Sequence, residues 1–195
     1  MENEIDGFKF VIMEKQIYKD AGLDVEFYPN FILAEEASEF YRELDKTCVK
    51  NPIKRVSKSY GEVGLKYVIH WYGKTTVREL IPWETVPLLL AIKDRLNSVV
   101  PEEYNTVVVQ KYPTGKIGIN PHRDKEMKHG TVIAGVSLGE TRTLTLERNG
   151  KKYSIPLNSG SLYVLKPPTN DKWSHCIEQD STTKPRISLT YRNYR

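Results

Sequence analysis

The spacing of apolar residues changes twice along this chain. Between Ala34 and Lys46, Ala37, Phe40, Tyr41 and Leu44 recur three or four apart, the period of a helix with one buried face. Thr85 has the side chain of an N-cap in front of Val86 and Pro87, and Leu88, Ile92 and Leu96 form the stripe of a second helix that ends before Pro101. Ahead of both, residues 24–31 (DVEFYPNF) read as a short strand and a turn. From residue 104 the texture becomes short runs of strand-forming residues: NTVVVQKY, a turn at Gly115, TVIAGVSLG, TRTLTLER, KKYSIPL, SLYVLK and PRISLTYR. Asn149-Gly150 between two of them is a strong hairpin signal. Two helices followed by about eight short strands predict an α+β fold built on a double-stranded β-helix, the cupin-like jelly-roll, with the helices packed on one sheet.

Length and composition narrow this little further. No repeat or linker divides the 195 residues, so one domain is expected, large enough to bury about 70% of its unfolded surface. No apolar run approaches the roughly 20 residues of a membrane span, and MENEIDG lacks the basic start and apolar core of a secretory signal. We therefore expect no membrane contact, an intracellular location (nuclear or cytoplasmic, not secreted) and a monomer. Cys48 and Cys176 share no CxxC spacing and are expected as free thiols.

Charge becomes informative through its distribution. The net charge is +4, but Lys46, Lys50, Lys54, Arg55 and Lys58 follow one another with no acidic residue between Lys46 and Ser59. That segment reads either as a contact to phosphates or as a solvated loop.

His122 and Asp124 stand two apart, so an extended backbone sends both side chains to one face. His175 follows 51 residues later, past several strands. Two histidines and a carboxylate on a barrel interior make the facial triad of non-haem Fe(II) oxygenases, which leaves positions open for a cosubstrate and oxygen. His70 and His129 are the rival ligands. Such chemistry needs a cosubstrate, and 2-oxoglutarate needs a fixed cation at its far carboxylate, a role that suits the planar fork of arginine. Arg186 opens RISLTYR, where Arg186, Ser188, Thr190 and Arg192 alternate onto one face and Ile187, Leu189 and Tyr191 onto the other. A strand with one face in solvent would show the same alternation.

These residues resemble the AlkB family of Fe(II)/2-oxoglutarate-dependent dioxygenases, above all its eukaryotic DNA-repair members. The likeness runs through YPTGKIGINPHRDKE, VSLGETRTLTLE, GSLYVLKPPTNDKWSH and the Arg186–Arg192 string, which is similar to the family's RxNxTxR; YGEVGLKY at 60–67 resembles its substrate-side segment. The resemblance implies a single dioxygenase domain over 1–195, with an N-terminal extension at 1–23, a substrate-side segment at 46–82 and a catalytic core at 104–195. It also implies oxidative demethylation of N-alkylated bases of the 1-methyladenine and 3-methylcytosine type in DNA, with Fe(II), 2-oxoglutarate and O2 consumed and formaldehyde, succinate and carbon dioxide released. By the same carry-over His122, Asp124 and His175 bind the metal, Tyr112, Arg186, Ser188 and Arg192 serve the cosubstrate, and Tyr67, Trp71 and Glu126 face the damaged base. Lys50, Lys54, Arg55 and Lys58 would follow the nucleic-acid backbone. Gln110 and Ser188 stand where the family usually has Asn, and Ile69 where the DNA-repair members carry a stacking Phe. The alternatives are the same chemistry on RNA or on a protein, and a catalytically silent metal-binding jelly-roll, for which Arg186 and Arg192 would have no use.

Overall fold

The alternating runs become strands in the computed structural model, which describes residues 14–48, 51–71 and 74–194 and, within 69–71, the backbone alone. In chain order, β1 (Gln16–Asp20) and β2 (Leu23–Tyr28) precede helix α1 (Ala34–Thr47). Then come β3 (Val56–Gly61), β4 (Lys66–Trp71), β5 (Lys74–Glu79), β6 (Ile81–Pro82), one turn of 3-10 helix at Trp83–Thr85, and α2 (Pro87–Asn97). The remainder is β7 (Thr106–Tyr112), β8 (Ile119–His122), β9 (Ile133–Gly139), β10 (Arg142–Arg148), β11 (Lys151–Leu157), β12 (Leu162–Leu165), α3 (Thr169–Lys172), β13 (Ser174–Ile177) and β14 (Arg186–Arg192).

Two sheets form the jelly-roll. The larger runs β1-β2-β12-β9-β14-β7-β3-β6 and the smaller β11-β10-β13-β8, while β4 and β5 pair by themselves as a hairpin. β1, from the predicted extension, adds an edge strand to the larger sheet, and β3, from the substrate-side segment, pairs with β7. One core cluster joins α1 and α2 to the outer face of the larger sheet through Leu44, Leu89, Ile92, Val107, Val136 and Leu189. A second fills the space between the sheets with Phe27, Ile133, Leu144, Leu146, Ile155 and Trp173. Each fully buried side chain of this size stabilises the fold by about 1.5–3 kcal/mol. Among the described residues no helix is long and apolar enough to cross a membrane.

The first helix forms where its pattern predicts. The second differs in its cap: the Thr85 hydroxyl donates to the Pro82 carbonyl at 2.7 Å and closes the 3-10 turn, so α2 starts at Pro87 behind Val86 without a side-chain cap. Proline at the first position has no N–H left to satisfy and already holds the helical φ. The Asn149-Gly150 hairpin joins β10 to β11, both residues at positive φ (51° and 78°) as a tight primed turn requires.

A buried acid ties the first strands to the jelly-roll. Glu26, 7% exposed on β2, accepts hydrogen bonds from Lys166 Nζ at 2.6 Å, Tyr28 Oη at 2.7 Å and Lys15 Nζ at 3.0 Å. Burial pushes its carboxyl up, but these donors outweigh burial and bring it down to about 2 from an ordinary 4.5. A pKa lower in the folded state than in the unfolded one contributes stability above the unfolded value and loses it as the pH falls towards the folded one. Glu26→Gln is therefore expected to lower unfolding stability by about 1–3 kcal/mol at pH 7. The deficit should shrink as the pH drops below about 4.5, since the wild type then loses the same contribution. Chemical denaturation at pH 7 and pH 3 checks this; a deficit of equal size at both would remove the charge from the explanation.

Candidate metal centre

Strand register brings the predicted ligands together. β13 pairs with β8 so that His175 lies directly opposite His122, their ring centroids 4.4 Å apart. β8 ends at His122, and Asp124 follows in an irregular segment held by Asn170 from α3. The Asp124 amide donates to Asn170 Oδ1 at 2.9 Å, and Asn170 Nδ2 donates to the Asp124 carbonyl at 2.8 Å. The candidate ligand atoms of His122, Asp124 and His175 all lie within 4.8 Å of one another. The rivals do not join them: His129 is exposed beside Asp171, and the His70 side chain lies outside the described residues.

The electrostatics suit a divalent cation. His122 Nδ1 lies 2.8 Å from the Asn120 carbonyl, which can only accept, so Nδ1 carries the proton and Nε2 keeps its lone pair for the ion. Burial pulls the His175 imidazole down to about 4 despite the pull of Asp124 in the other direction, so it is neutral near pH 7 and can ligate. Burial pushes the Asp124 carboxyl up, but Arg192 and the two histidines outweigh it and keep it below its ordinary value. Its Oδ2 is buried and makes no hydrogen bond, although it stands 3.1 Å from Arg192 Nη2 in an ion pair. Two imidazoles and one carboxylate with an unsatisfied buried oxygen are the donor set of a 2-His-1-carboxylate iron site.

The second half of the site lies on β14. Its residues 186–191 are all buried, so the alternation in RISLTYR is not that of a solvent face: Ile187, Leu189 and Tyr191 pack with the helices, while Arg186, Ser188 and Thr190 point between the sheets. Arg186 is 0% exposed and donates through Nε to Ser137 Oγ at 2.8 Å and through Nη2 to Ser188 Oγ at 3.3 Å. Its Nη1 is buried without a partner among the described residues. Burial lowers its pKa below the usual arginine value, and a guanidinium keeps its charge in proteins. Tyr112, directly opposite Arg186 in the ladder, donates to Gln110 Oε1 at 3.0 Å. Arg192 is held charged by Asp124 against the cost of its burial.

The remaining predicted residues separate. Tyr67 is half-buried, its ring 5.4 Å from that of Tyr194, and Glu126 is exposed on the rim, accepting from the Lys125 amide at 3.1 Å. The side chain of Trp71 and all of Lys50 lie outside the described residues. Of the other basic residues, Lys54 is exposed, Lys58 donates to the Thr47 carbonyl at 2.6 Å, and Arg55 turns inward over the Tyr112 ring.

Four residues escaped the sequence reading: Asn170 as the clamp on Asp124, Ser137 as the partner of Arg186, Tyr163 on the wall between Arg186 and Arg192, and Tyr194 against Tyr67. Ser137 had a signal, a small polar residue interrupting an apolar run. Tyr163 had one in Gly135, opposite it on β9, where a Cβ would come within 2.1 Å of the tyrosine ring.

Comparison with known proteins agrees with this geometry. Residues 24–192 match the model of the 2OG-Fe(II) oxygenase superfamily. The chain is 30% identical over 198 residues to human "DNA oxidative demethylase ALKBH2", covering 88% of this chain and 73% of the relative. It is 32% identical over 176 residues to the mouse protein of the same name, covering 82% and 71%. The solved structure of OsALKBH1 superimposes with a TM-score of 0.61 over 92% of this chain and 100% of that one, at 12% identity, a likeness of fold.

Proposed function

Since this chain belongs to the AlkB family within the 2OG-Fe(II) oxygenase superfamily, and is thus a dioxygenase that uses Fe(II), 2-oxoglutarate and O2, we propose that it removes methyl groups from damaged nucleic-acid bases, in DNA before RNA. With its cofactors bound, such a centre hydroxylates a C–H bond while the cosubstrate leaves as succinate and carbon dioxide; an N-methyl group treated so becomes a hemiaminal that releases formaldehyde and the unmodified base.

The chain's own residues divide the remaining work. His122, Asp124 and His175 hold the ion, and Arg186 holds the far carboxylate of the cosubstrate, its fork oriented by Ser137 and Ser188. Tyr112 flanks that carboxylate and Arg192 balances the charge of Asp124. Methylation at the pairing edge of adenine or cytosine makes the base a cation, which an aromatic face and a carboxylate both favour. The observation that carries this reading is the pairing of Tyr67 with Tyr194, whose backbone bridges to Met127 three residues past Asp124, with Glu126 two residues past Asp124. The Glu126 carboxylate helps to hold Arg192 and Tyr194 protonated, which supports a role for it beside them. Lys46 and Lys54 are exposed cations that the described part of the 46–58 segment offers to a phosphate.

Single-stranded or distorted substrates are the preferred ones. Only residues 48–55 connect α1 to β3, and Ile53, 71% exposed, is the one sizeable apolar side chain displayed among the described residues of that connection. Flipping a base from a duplex costs a few kcal/mol, which a large inserted wedge helps to offset. Formaldehyde release should be followed from 1-methyladenine and 3-methylcytosine oligonucleotides of DNA and of RNA, alone and annealed, at one salt concentration. We expect DNA single strands to be repaired about tenfold faster than the same strand in duplex. Equal or faster duplex repair would overturn the strand preference, and formaldehyde from none of the oligonucleotides would overturn the nucleic-acid reading.

A further inference from the structure

Three guanidinium groups surround one aromatic ring. The Cζ atoms of Arg186, Arg55 and Arg142 lie 5.3, 5.7 and 5.8 Å from the centroid of Tyr112. Arg142 is engaged elsewhere: Nη1 and Nη2 donate to the carbonyls of Thr114, Gly115, Ile117 and Glu178, and Nε, though it makes no hydrogen bond, is ion-paired with Asp180 at 2.8 Å. Arg55 and Arg186 are not. Each keeps a buried Nη1 without a hydrogen-bond partner among the described residues.

Strand register explains why these two share a face. Arg186 is paired with Tyr112 across β14 and β7. On the other side of β7, β3 begins with Val56 opposite Lys111, so Arg55 falls one step further along the ladder, beside Tyr112. Residues directly opposite in adjacent strands project to the same face, and here it is the face between the sheets. Two cations so placed repel each other where the dielectric is low, and an unsatisfied buried N–H costs stability. An anion reaching both would remove the two penalties together.

We propose that Arg55 is a second anchor for the far carboxylate of 2-oxoglutarate, which binds between it and Arg186. Arg55 thereby serves the cosubstrate, in the space between the sheets, rather than the nucleic-acid backbone. This depends on the family's use of 2-oxoglutarate and is independent of the base-repair reading.

The test is calorimetric titration of the Mn(II)-loaded protein with 2-oxoglutarate and, separately, with oxalate, which can occupy the metal end but has no far carboxylate. Arg55→Met should weaken 2-oxoglutarate binding by about tenfold or more and leave oxalate binding within about twofold, with Arg55→Lys in between. An unchanged affinity for 2-oxoglutarate in Arg55→Met would overturn the proposal. So would an equal loss for both ligands, which would make Arg55 a support of the fold. Arg186→Lys measured alongside separates the claims: if it too binds 2-oxoglutarate normally, the carboxylate lies elsewhere and the shared clamp is wrong.

Discussion

Replacing His175 or Asp124 by alanine is expected to abolish turnover, reducing it by at least about 100-fold, since even changes behind a metal ligand reach that scale. Each removes one of three donors whose ligand atoms lie within 4.8 Å of one another, and two donors hold a divalent ion poorly. Asp124→Ala also strands Arg192, which has the Asp124 carboxylate at 3.1 Å as its ion-pair partner. The two variants should therefore differ in stability although they share the catalytic defect. His175→Ala leaves a small void and a melting temperature within a few degrees of wild type, whereas Asp124→Ala leaves a buried cation uncompensated and loses about 3–5 kcal/mol. Steady-state assays with thermal melts check both parts. Normal turnover in His175→Ala would remove that residue from the metal site.

Arg186→Lys is expected to raise the KM for 2-oxoglutarate by about 10–100-fold, with a smaller effect on kcat. Lysine keeps the charge but loses the fork, and a lost hydrogen bond to a charged partner is worth about 1.5–3 kcal/mol. In the native chain the fork is held by Ser137 Oγ at 2.8 Å and Ser188 Oγ at 3.3 Å, so its free Nη1 is aimed before any ligand arrives. A lysine ammonium at that depth would have to be desolvated without such guidance. Cosubstrate titrations of initial rate decide it, and an unchanged KM would place the far carboxylate elsewhere.

The jelly-roll and the grouping of His122, Asp124 and His175 are legible in the sequence because each leaves a local trace. Alternation marks strands whose two faces meet different surroundings, and the two-residue step from His122 to Asp124 survives even though β8 ends between them. His175 was found through its order in the chain, and the register that sets it opposite His122 then closes the triad. β4 and β5 were missed for a physical reason. KTTVRE is exposed along its whole length, so no buried face imprints a pattern on it.

Contacts made across strands left no such trace. Asn170 reads as a turn residue after two prolines, yet its amide holds the backbone of Asp124 from 46 residues away. A run of basic residues looks the same wherever its side chains point. In the fold Lys54 faces outward, Lys58 caps the end of α1 through the Thr47 carbonyl, and Arg55 enters the interior. Charge counted along the sequence does not separate the exposed Lys46 and Lys54 from Lys58 and Arg55, whose side chains turn onto the protein.

Iron- and 2-oxoglutarate-dependent demethylation of nucleic-acid bases is decided by measuring succinate and formaldehyde together from one single-stranded DNA oligonucleotide bearing 1-methyladenine. One formaldehyde is expected for each succinate formed in the presence of the oligonucleotide, both products being lost on chelating the iron and both lost in Asp124→Ala. Succinate formed without formaldehyde, at a rate that the methylated oligonucleotide does not change, would contradict it and assign the dioxygenase chemistry to another substrate.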